Sequence, residues 1–154
     1  LRSNDSYRSL PNLVTLAPLW TVSGVRFISL QKGQDEDQAQ NPPEGQPLLH
    51  VGTDLADFAD TAAVIAQLDL IICVDTAVLH LAGALGKPCW VLLPAYRPDW
   101  RWLHGYNHSP WYPRVMRLFR QPPTEDWTTV IQDLKNALAE IAAKPVASGE
   151  PIKG

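Results

Sequence analysis

The stretch DLIICVDTAVLHLAGALGKPCWVLLP, residues 69–94, decides the fold class of this chain. Residues 69–74 form an almost continuous apolar run, which is typical of a strand covered on both faces. Residues 76–85 predict a helix with small side chains that allow close approach to a sheet, and Gly86 and Pro88 end it. Residues 89–93 predict a second buried strand. Two such strands joined through a short helix indicate a right-handed crossover between parallel strands.

The same alternation extends outward along the chain. The further expected elements are a helix at 8–20 that Pro18 disturbs, strands at 25–30 and 48–51, a helix from Asp57 or Asp60 to Leu68, a strand at 115–119 and a helix at 125–143. Residues 31–47 predict a polar surface loop. The predicted fold is α/β, a Rossmann-like, mostly parallel sheet with helices on both faces. We expect one domain at 1–144 and a frayed tail at 145–154.

Composition and charge narrow the classes of function. The chain has 154 residues, of which 45% are hydrophobic and 19% charged, and its net charge is −3. This balance argues against a nucleic-acid or membrane-surface protein, which needs a clear basic excess. No apolar run reaches the roughly 18 residues of a membrane span, and we expect a cytoplasmic protein. Since the chain begins at Leu1 and its one methionine is Met116, we expect a piece of a longer polypeptide.

The sequence carries neither a metal-binding signature nor a common catalytic motif. Cys73 and Cys89 lie inside apolar runs, where free thiols behave as small buried hydrophobes. No CxxC or HExxH spacing exists, and we expect no metal. The signatures GxSxG, GxGxxG and GxxxxGK[ST] are also absent. These absences argue against an α/β-type hydrolase, a dinucleotide oxidoreductase and a P-loop phosphotransferase.

The residues that follow the first buried strand are a candidate binding site. The first turn of the expected helix leaves the backbone N–H groups of Thr76, Ala77 and Val78 without intrahelical partners. Together with the helix dipole, these groups favour a phosphate or diphosphate. Asp75 lies beside them, and His80, one turn further on, is close enough to donate to a ligand oxygen. The alternative is that Asp75 is only an N-cap and His80 a satisfied core histidine.

A basic and aromatic stretch follows the second buried strand. Between residues 97 and 120 the only acidic residue is Asp99, whereas five of the eight arginines lie there: Arg97, Arg101, Arg114, Arg117 and Arg120. Four of the six tryptophans lie in or beside it: Trp90, Trp100, Trp102 and Trp111. Guanidinium groups and aromatic planes suit a ligand that carries sugar or phosphate. The alternative is that the tryptophans pack a long loop onto the domain and the arginines are solvated.

The segment DTAVLHLAGALGKP, residues 75–88, resembles the D-[TS]-[AG]-x-x-H-x-A-x-A-x-G-x-P pattern in the carboxyl-terminal half of heptosyltransferase-type glycosyltransferases. The segments SNDSYRSLP, VRFISLQKG, DLADFADTAAVIAQLDLIICVD and LLPAYRPDWRW are similar to the version of that half found at the end of bacterial tetratricopeptide-repeat proteins. The resemblance spans residues 4–141. It implies the second lobe of the two-lobed GT-B architecture, which holds the nucleotide sugar, whereas the first lobe supplies the acceptor site.

The resemblance also implies which residues bind the sugar donor. These are Asp75 for the sugar hydroxyls, the Thr76 and Ala77 backbone for the diphosphate, His80 beside it, Arg8 for the phosphates, and Gln31 and Lys32 for the base and ribose. The glycine-rich strand and turn expected before Asn4 are absent, as is the first lobe. We therefore expect that this stretch does not catalyse by itself.

Three hypotheses for the function follow. The main one is a donor-binding lobe of a glycosyltransferase, which transfers a sugar from a nucleoside-diphosphate sugar by direct displacement and needs no metal or other cofactor. Its expected partners are the nucleotide sugar, the missing first lobe and tetratricopeptide repeats of the same chain. The alternative is a non-catalytic ligand-sensing or protein-interaction module appended to such repeats. A third possibility is a sugar-nucleotide epimerase, which shares the two-lobed architecture.

Overall fold

The computed structural model describes residues 9–96, 98–103 and 105–144. The strands in these ranges are β1 (Ile28–Ser29), β2 (Leu49–His50), β3 (Ile71–Val74), β4 (Cys89–Leu93) and β5 (Met116–Arg120). The α-helices are α1 (Glu36–Gln40), α2 (Phe58–Gln67), α3 (Ala77–Ala84) and α4 (Trp127–Ala142), and 3₁₀ helices lie at Leu13–Thr21, Gly52–Asp54 and Trp100–Trp102. Arg8, Arg97, His104 and the expected tail at 145–154 lie outside the described residues.

The strands named above pair in parallel. β1 pairs with β2, where Ile28 lies opposite Leu49. β4 lies between β3 and β5, so that Val91 is opposite Cys73 on one side and Leu118 on the other. The predicted α/β fold with parallel strands is confirmed, although the described strands form two sheets, one of two strands and one of three.

β4 is the centre of the core because both of its faces are buried. Trp90 and Leu92 pack on one face against the 3₁₀ helix at Leu13–Thr21 and α4. Cys89, Val91 and Leu93 pack on the other face against α2 and α3. This division follows from the two-residue period of a strand. Helices therefore cover both faces of the sheet, as the apolar run at 89–93 predicts.

Aspartate side chains cap two of the α-helices, α2 and α4. Asp57 is the N-cap of α2, and its carboxylate accepts from the N–H groups of Ala59 and Asp60. Of the two predicted caps, Asp57 is therefore the right one, whereas Asp60 lies in the first turn and accepts from the Ala56 N–H. Asp126 caps α4 by accepting from the Thr128 N–H, which lowers the pKa of Asp126 below its ordinary value. Such caps stabilise helix starts by roughly 1 kcal/mol each.

The amino-terminal third differs most from the sequence-based prediction. The expected helix at 8–20 is a 3₁₀ helix at Leu13–Thr21, and Pro18 inside it lacks the N–H that a regular α-helix needs. The strand expected at 25–30 is only the two residues of β1. The segment 31–47, predicted to be a loop, contains α1.

Cys73 and Cys89 are free thiols, as predicted. They lie on the neighbouring strands β3 and β4, and their Sγ atoms are 3.8 Å apart. The hydrogen bond between the thiols and the burial of Cys73 both raise the pKa of the Cys73 thiol. The thiolate form that reacts with labelling reagents is therefore disfavoured in the folded protein.

Candidate functional site

α3 begins immediately after the carboxyl end of β3, where parallel α/β sheets bind their ligands. Its N-cap is Thr76, and no side-chain hydrogen bond caps this turn in the described part of the chain. Thr76 and Ala77 are exposed. The interpretation of Asp75 as the N-cap is therefore wrong, because Asp75 precedes the cap. A helix start that is exposed and has no side-chain cap suits an anion, because its first N–H groups and the positive end of the helix dipole favour negative charge.

The Asp75 carboxylate is held by a tryptophan from the basic and aromatic stretch. The indole N–H of Trp102 donates to Asp75 Oδ2 over 3.0 Å. Trp102 is 2% exposed and lies in the 3₁₀ helix at Trp100–Trp102, whose N-cap is Asp99. A residue 27 positions away in the sequence thus fixes one carboxylate oxygen at the start of α3.

His80 also contacts the basic and aromatic stretch, through Tyr112 and Trp102. Its Nδ1 lies 3.3 Å from the hydroxyl oxygen of Tyr112. The imidazole also stacks on Trp102, with ring centroids 6.3 Å apart and planes inclined by 21°. His80 is half-buried, so it is a hydrogen-bonded histidine at the edge of the core. Trp102 therefore contacts both Asp75 and His80, and Tyr112 contacts His80.

Gln31 and Lys32 follow the carboxyl end of β1 and lie beside the end of β2. The Lys32 ammonium donates to the backbone carbonyl of Leu55. The Gln31 side chain donates to the carbonyl of Gln34 over 2.7 Å. Gly52 packs so closely on this turn that a Cβ at its position would lie 1.8 Å from the Gln31 carbonyl oxygen.

A polar cluster joins α1 to the carboxyl ends of β1 and β2. The Thr53 hydroxyl donates to Glu36 Oε1 over 2.8 Å, and the Gly33 N–H donates to Glu36 Oε2 over 2.8 Å. His50 Nε2 lies 3.1 Å from Glu36 Oε1, and its Nδ1 lies 3.3 Å from the Ser29 hydroxyl oxygen. The bond from Gly33, then those from Thr53 and His50, lower the pKa of Glu36 from 4.5 to about 2.

The Glu36 cluster predicts a pH-dependent contribution to stability. Folded Glu36 stays ionised down to about pH 2, whereas in the unfolded chain it takes up a proton near 4.5. Its contribution is therefore complete above the unfolded pKa and is lost as the pH falls towards the folded pKa. Urea unfolding should show a larger difference between wild type and Glu36→Gln at about pH 6 than at about pH 3.

Glu140→Gln, an exposed change on α4, is the matched control for the loss of one negative charge. A Glu36→Gln difference of the same size at both pH values would show that the pKa of Glu36 is not lowered in the folded state.

The arginines of the basic stretch have several different roles. Arg120 donates to the carbonyls of Trp102, Leu103 and Tyr106, and burial lowers its pKa. Arg101 pairs with Asp99 over 2.8 Å. The alternative that these arginines are solvated is therefore wrong for Arg120, because Arg120 binds the loop backbone.

The tryptophans beside the basic stretch divide into two pairs. Trp90 and Trp102 are buried in the core. Trp100 and Trp111 are 70% and 58% exposed and meet edge to face, with ring centroids 6.1 Å apart. The alternative that tryptophans pack the loop onto the domain therefore holds for Trp102. Trp100 and Trp111 lie at the surface and do not pack in this way.

The described contacts place the predicted site residues in two groups. Asp75, Thr76, Ala77 and His80 lie at the start of α3, and Gln31 and Lys32 lie near the Glu36 cluster. Arg8 lies outside the described residues. That all seven bind one donor stays a prediction.

Several residues that lie at or near the predicted site residues are not predicted by any sequence pattern. Trp102 and Tyr112 reach Asp75 and His80 from more than 25 residues away in sequence, so no local pattern indicates these contacts. Glu36 has a local signal, since it lies three residues after Gly33 and bonds back to its N–H in the manner of a capping box. Nothing in the spacing of His50 and Thr53 relates them to Glu36.

The part of the chain that the structure describes has neither a cluster of metal ligands nor a membrane-spanning helix. No three His, Cys, Asp or Glu side chains come together there as a group able to hold a metal ion. No helix in the same residues has the length and apolar character that crossing a membrane requires.

Comparison with known proteins relates the chain to one family. Residues 23–100 match the family described as glycosyltransferase family 9 (heptosyltransferase). The chain is also 35% identical over 130 residues to "Protein FlbA" of Caulobacter vibrioides. That alignment covers 82% of this chain and 21% of the relative, so the chain spans about a fifth of the length of the relative that it matches. No solved structure matches the chain with significance.

Proposed function

Since the chain belongs to glycosyltransferase family 9 (heptosyltransferase), we propose that it is the donor-binding lobe of a glycosyltransferase. The ligand is a nucleoside-diphosphate sugar, and the lobe acts within a longer protein that supplies the acceptor-binding lobe. The proposed donor-binding residues are Asp75, Thr76, Ala77, His80, Arg8, Gln31 and Lys32.

The exposed start of α3 is the observation that carries this proposal. An uncapped helix turn with small, exposed residues suits a diphosphate, and it follows directly on the carboxylate of Asp75. A carboxylate beside a diphosphate site suits the hydroxyls of the attached sugar, because each hydroxyl can donate to it. The whole arrangement lies within residues 23–100, the range that matches the family.

The proposed chemistry is direct displacement at the anomeric carbon of the donor sugar. The bond from this carbon to the diphosphate oxygen breaks as the bond to the acceptor oxygen forms, and a base on the other lobe takes the acceptor proton. The leaving diphosphate gains negative charge during this step. The N–H groups of Thr76 and Ala77 and the guanidinium of Arg8 offset that charge, so the reaction needs no metal.

The proposed context is a longer cytoplasmic protein. A cytoplasmic location suits Cys73 and Cys89, which are close together and free, because cytosolic thiols are kept reduced. We further propose that tetratricopeptide repeats precede this lobe in the same polypeptide.

A non-catalytic ligand-sensing module is the second candidate. The observation that favours it is that Asp75 and His80 already have protein partners in Trp102 and Tyr112. A module that binds a nucleotide without turnover would keep the anion site at α3 and leave Asp75 engaged with Trp102.

Calorimetry on the full-length protein tests the proposal. UDP, GDP and ADP, their common sugar conjugates and the matching nucleosides are titrated separately. We expect one diphosphate series to bind more tightly than its nucleoside, with an affinity that falls as the salt concentration rises. If no nucleotide or nucleotide sugar binds at millimolar concentration, the donor-binding function is wrong. Binding of a bare diphosphate with no gain from the sugar would favour the sensing module.

A further inference from the structure

The aromatic contacts to Asp75 and His80 come from a segment that is itself firmly held. Three backbone carbonyls of this segment, those of Trp102, Leu103 and Tyr106, accept from the single guanidinium of Arg120. Arg120 ends β5, so the segment is fixed to the central sheet. The Trp102 indole therefore reaches Asp75 from a position set by the core.

The ring of Tyr112 packs closely on α3. A Cβ at Gly83 would lie 2.5 Å from Tyr112 Cδ1, which leaves room only for glycine under this ring. Gly83 is three residues after His80 on the same helix, and residues three apart are neighbours on a helix surface. The ring on Gly83 thus brings the Tyr112 hydroxyl to His80 Nδ1.

The Tyr112 contact has a chemical consequence for His80. A neutral imidazole carries its hydrogen on one nitrogen and accepts at the other. A phenol hydroxyl is a better donor than acceptor, because its lone pair is conjugated with the ring. When Tyr112 donates to Nδ1 of a neutral imidazole, the imidazole hydrogen lies on Nε2, where it serves as a donor.

We propose that Trp102 and Tyr112 are positioning residues that hold Asp75 and His80 for the nucleotide sugar, an inference that rests on the proposed function. Trp102 fixes the orientation of the Asp75 carboxylate towards the sugar hydroxyls. Tyr112 keeps His80 in the Nε2–H tautomer, as a donor to a ligand oxygen. The aromatic stretch thereby acts on the nucleotide sugar through Asp75 and His80.

Two conservative substitutions in the full-length protein test this inference, each with a matched control. Tyr112→Phe removes only the hydroxyl, and Tyr106→Phe removes the hydroxyl of an exposed tyrosine in the same stretch. Trp102→Phe removes the indole donor, and Trp100→Phe changes an exposed tryptophan two residues away. The readouts are the histidine ¹⁵N spectrum, with His80 assigned by His80→Gln, and the affinities for the nucleotide sugar and for its bare nucleotide.

We expect wild-type His80 to be the Nε2–H tautomer and Tyr112→Phe to mix the tautomers and weaken nucleotide-sugar binding about fivefold. Trp102→Phe should weaken nucleotide-sugar binding about tenfold and the bare nucleotide less than about twofold. The controls should change neither affinity by more than about twofold.

The outcomes separate this inference from the function on which it rests. A wild-type protein that binds no nucleotide sugar overturns the proposed function and, with it, the positioning role. A wild-type protein that binds the nucleotide sugar, with Tyr112→Phe and Trp102→Phe no different from their controls, overturns the positioning role alone. An Nδ1–H tautomer of His80 in the wild type overturns the role of Tyr112.

Discussion

Gly52→Ala is expected to lower the free energy of unfolding by about 3 kcal/mol, the upper end of ordinary overpacking costs. Gly52 is buried, and a Cβ there would lie 1.8 Å from the Gln31 carbonyl oxygen and 2.8 Å from the His50 ring. A backbone oxygen cannot move aside as a flexible side chain does, so the turn after β1 must shift away from the end of β2. Thermal unfolding should show a midpoint lower by roughly 6–12 °C.

Gly45→Ala is the matched control for this substitution. Gly45 has a φ of +78°, and nothing lies within 4 Å of an added Cβ, so only its backbone conformation is strained. We expect a loss of about 1 kcal/mol there. If Gly52→Ala costs no more than Gly45→Ala, Gly52 and Gln31 are not packed against each other as described.

Arg120→Gln is expected to lower the free energy of unfolding by about 2 kcal/mol and to loosen the segment around Trp102. One guanidinium donates to three carbonyls, and hydrogen bonds from a charged donor are worth more than neutral ones. Solvent weakens these hydrogen bonds, because Arg120 is only partly buried. Hydrogen exchange should accelerate at the amides of Trp102 and Tyr106 more than in β4.

The control for Arg120→Gln is Arg117→Gln on the same strand. Arg117 is exposed, and its guanidinium carbon lies 4.7 Å from the centre of the Phe119 ring. A cation–π contact at such a position contributes about 0.5–1 kcal/mol. Arg120 would have no special role in holding the loop if the two variants lost equal stability and left hydrogen exchange at Trp102 unchanged.

The sequence predicts best those elements whose local pattern and tertiary environment agree. β4 has the predicted bounds, because five consecutive apolar residues suit a strand that is buried on both faces. α2 begins after the predicted cap Asp57, since the capping hydrogen bonds span only two or three residues. β1 is much shorter than the run at 25–30, because β-branched residues indicate an extended chain and do not determine how many of them find a pairing partner.

The elements that the sequence does not predict depend on distant contacts. α1 has one buried residue, Ala39, and therefore no apolar stripe to signal a helix. Gln46 is 2% exposed in a polar segment because its amide donates to the carbonyl of Leu13, 33 residues away. The partners of the candidate site, Trp102 and Tyr112, are set by the packing of a long connection onto α3, which no periodicity in the sequence encodes.

Asp75→Ala in the full-length protein tests the central claim most directly, by calorimetric titration with the nucleotide sugar that the wild type binds and with its bare nucleotide. Asp69→Ala is the matched control, since Asp69 is an exposed aspartate just before β3 and Asp75 lies just after it. A hydrogen bond to a carboxylate is worth about 1.5–3 kcal/mol. The account predicts that Asp75→Ala weakens the nucleotide sugar more than about tenfold and the bare nucleotide by less than about threefold, whereas Asp69→Ala changes neither. Equal losses for both ligands, or none for the nucleotide sugar, would contradict a role for Asp75 in holding the sugar.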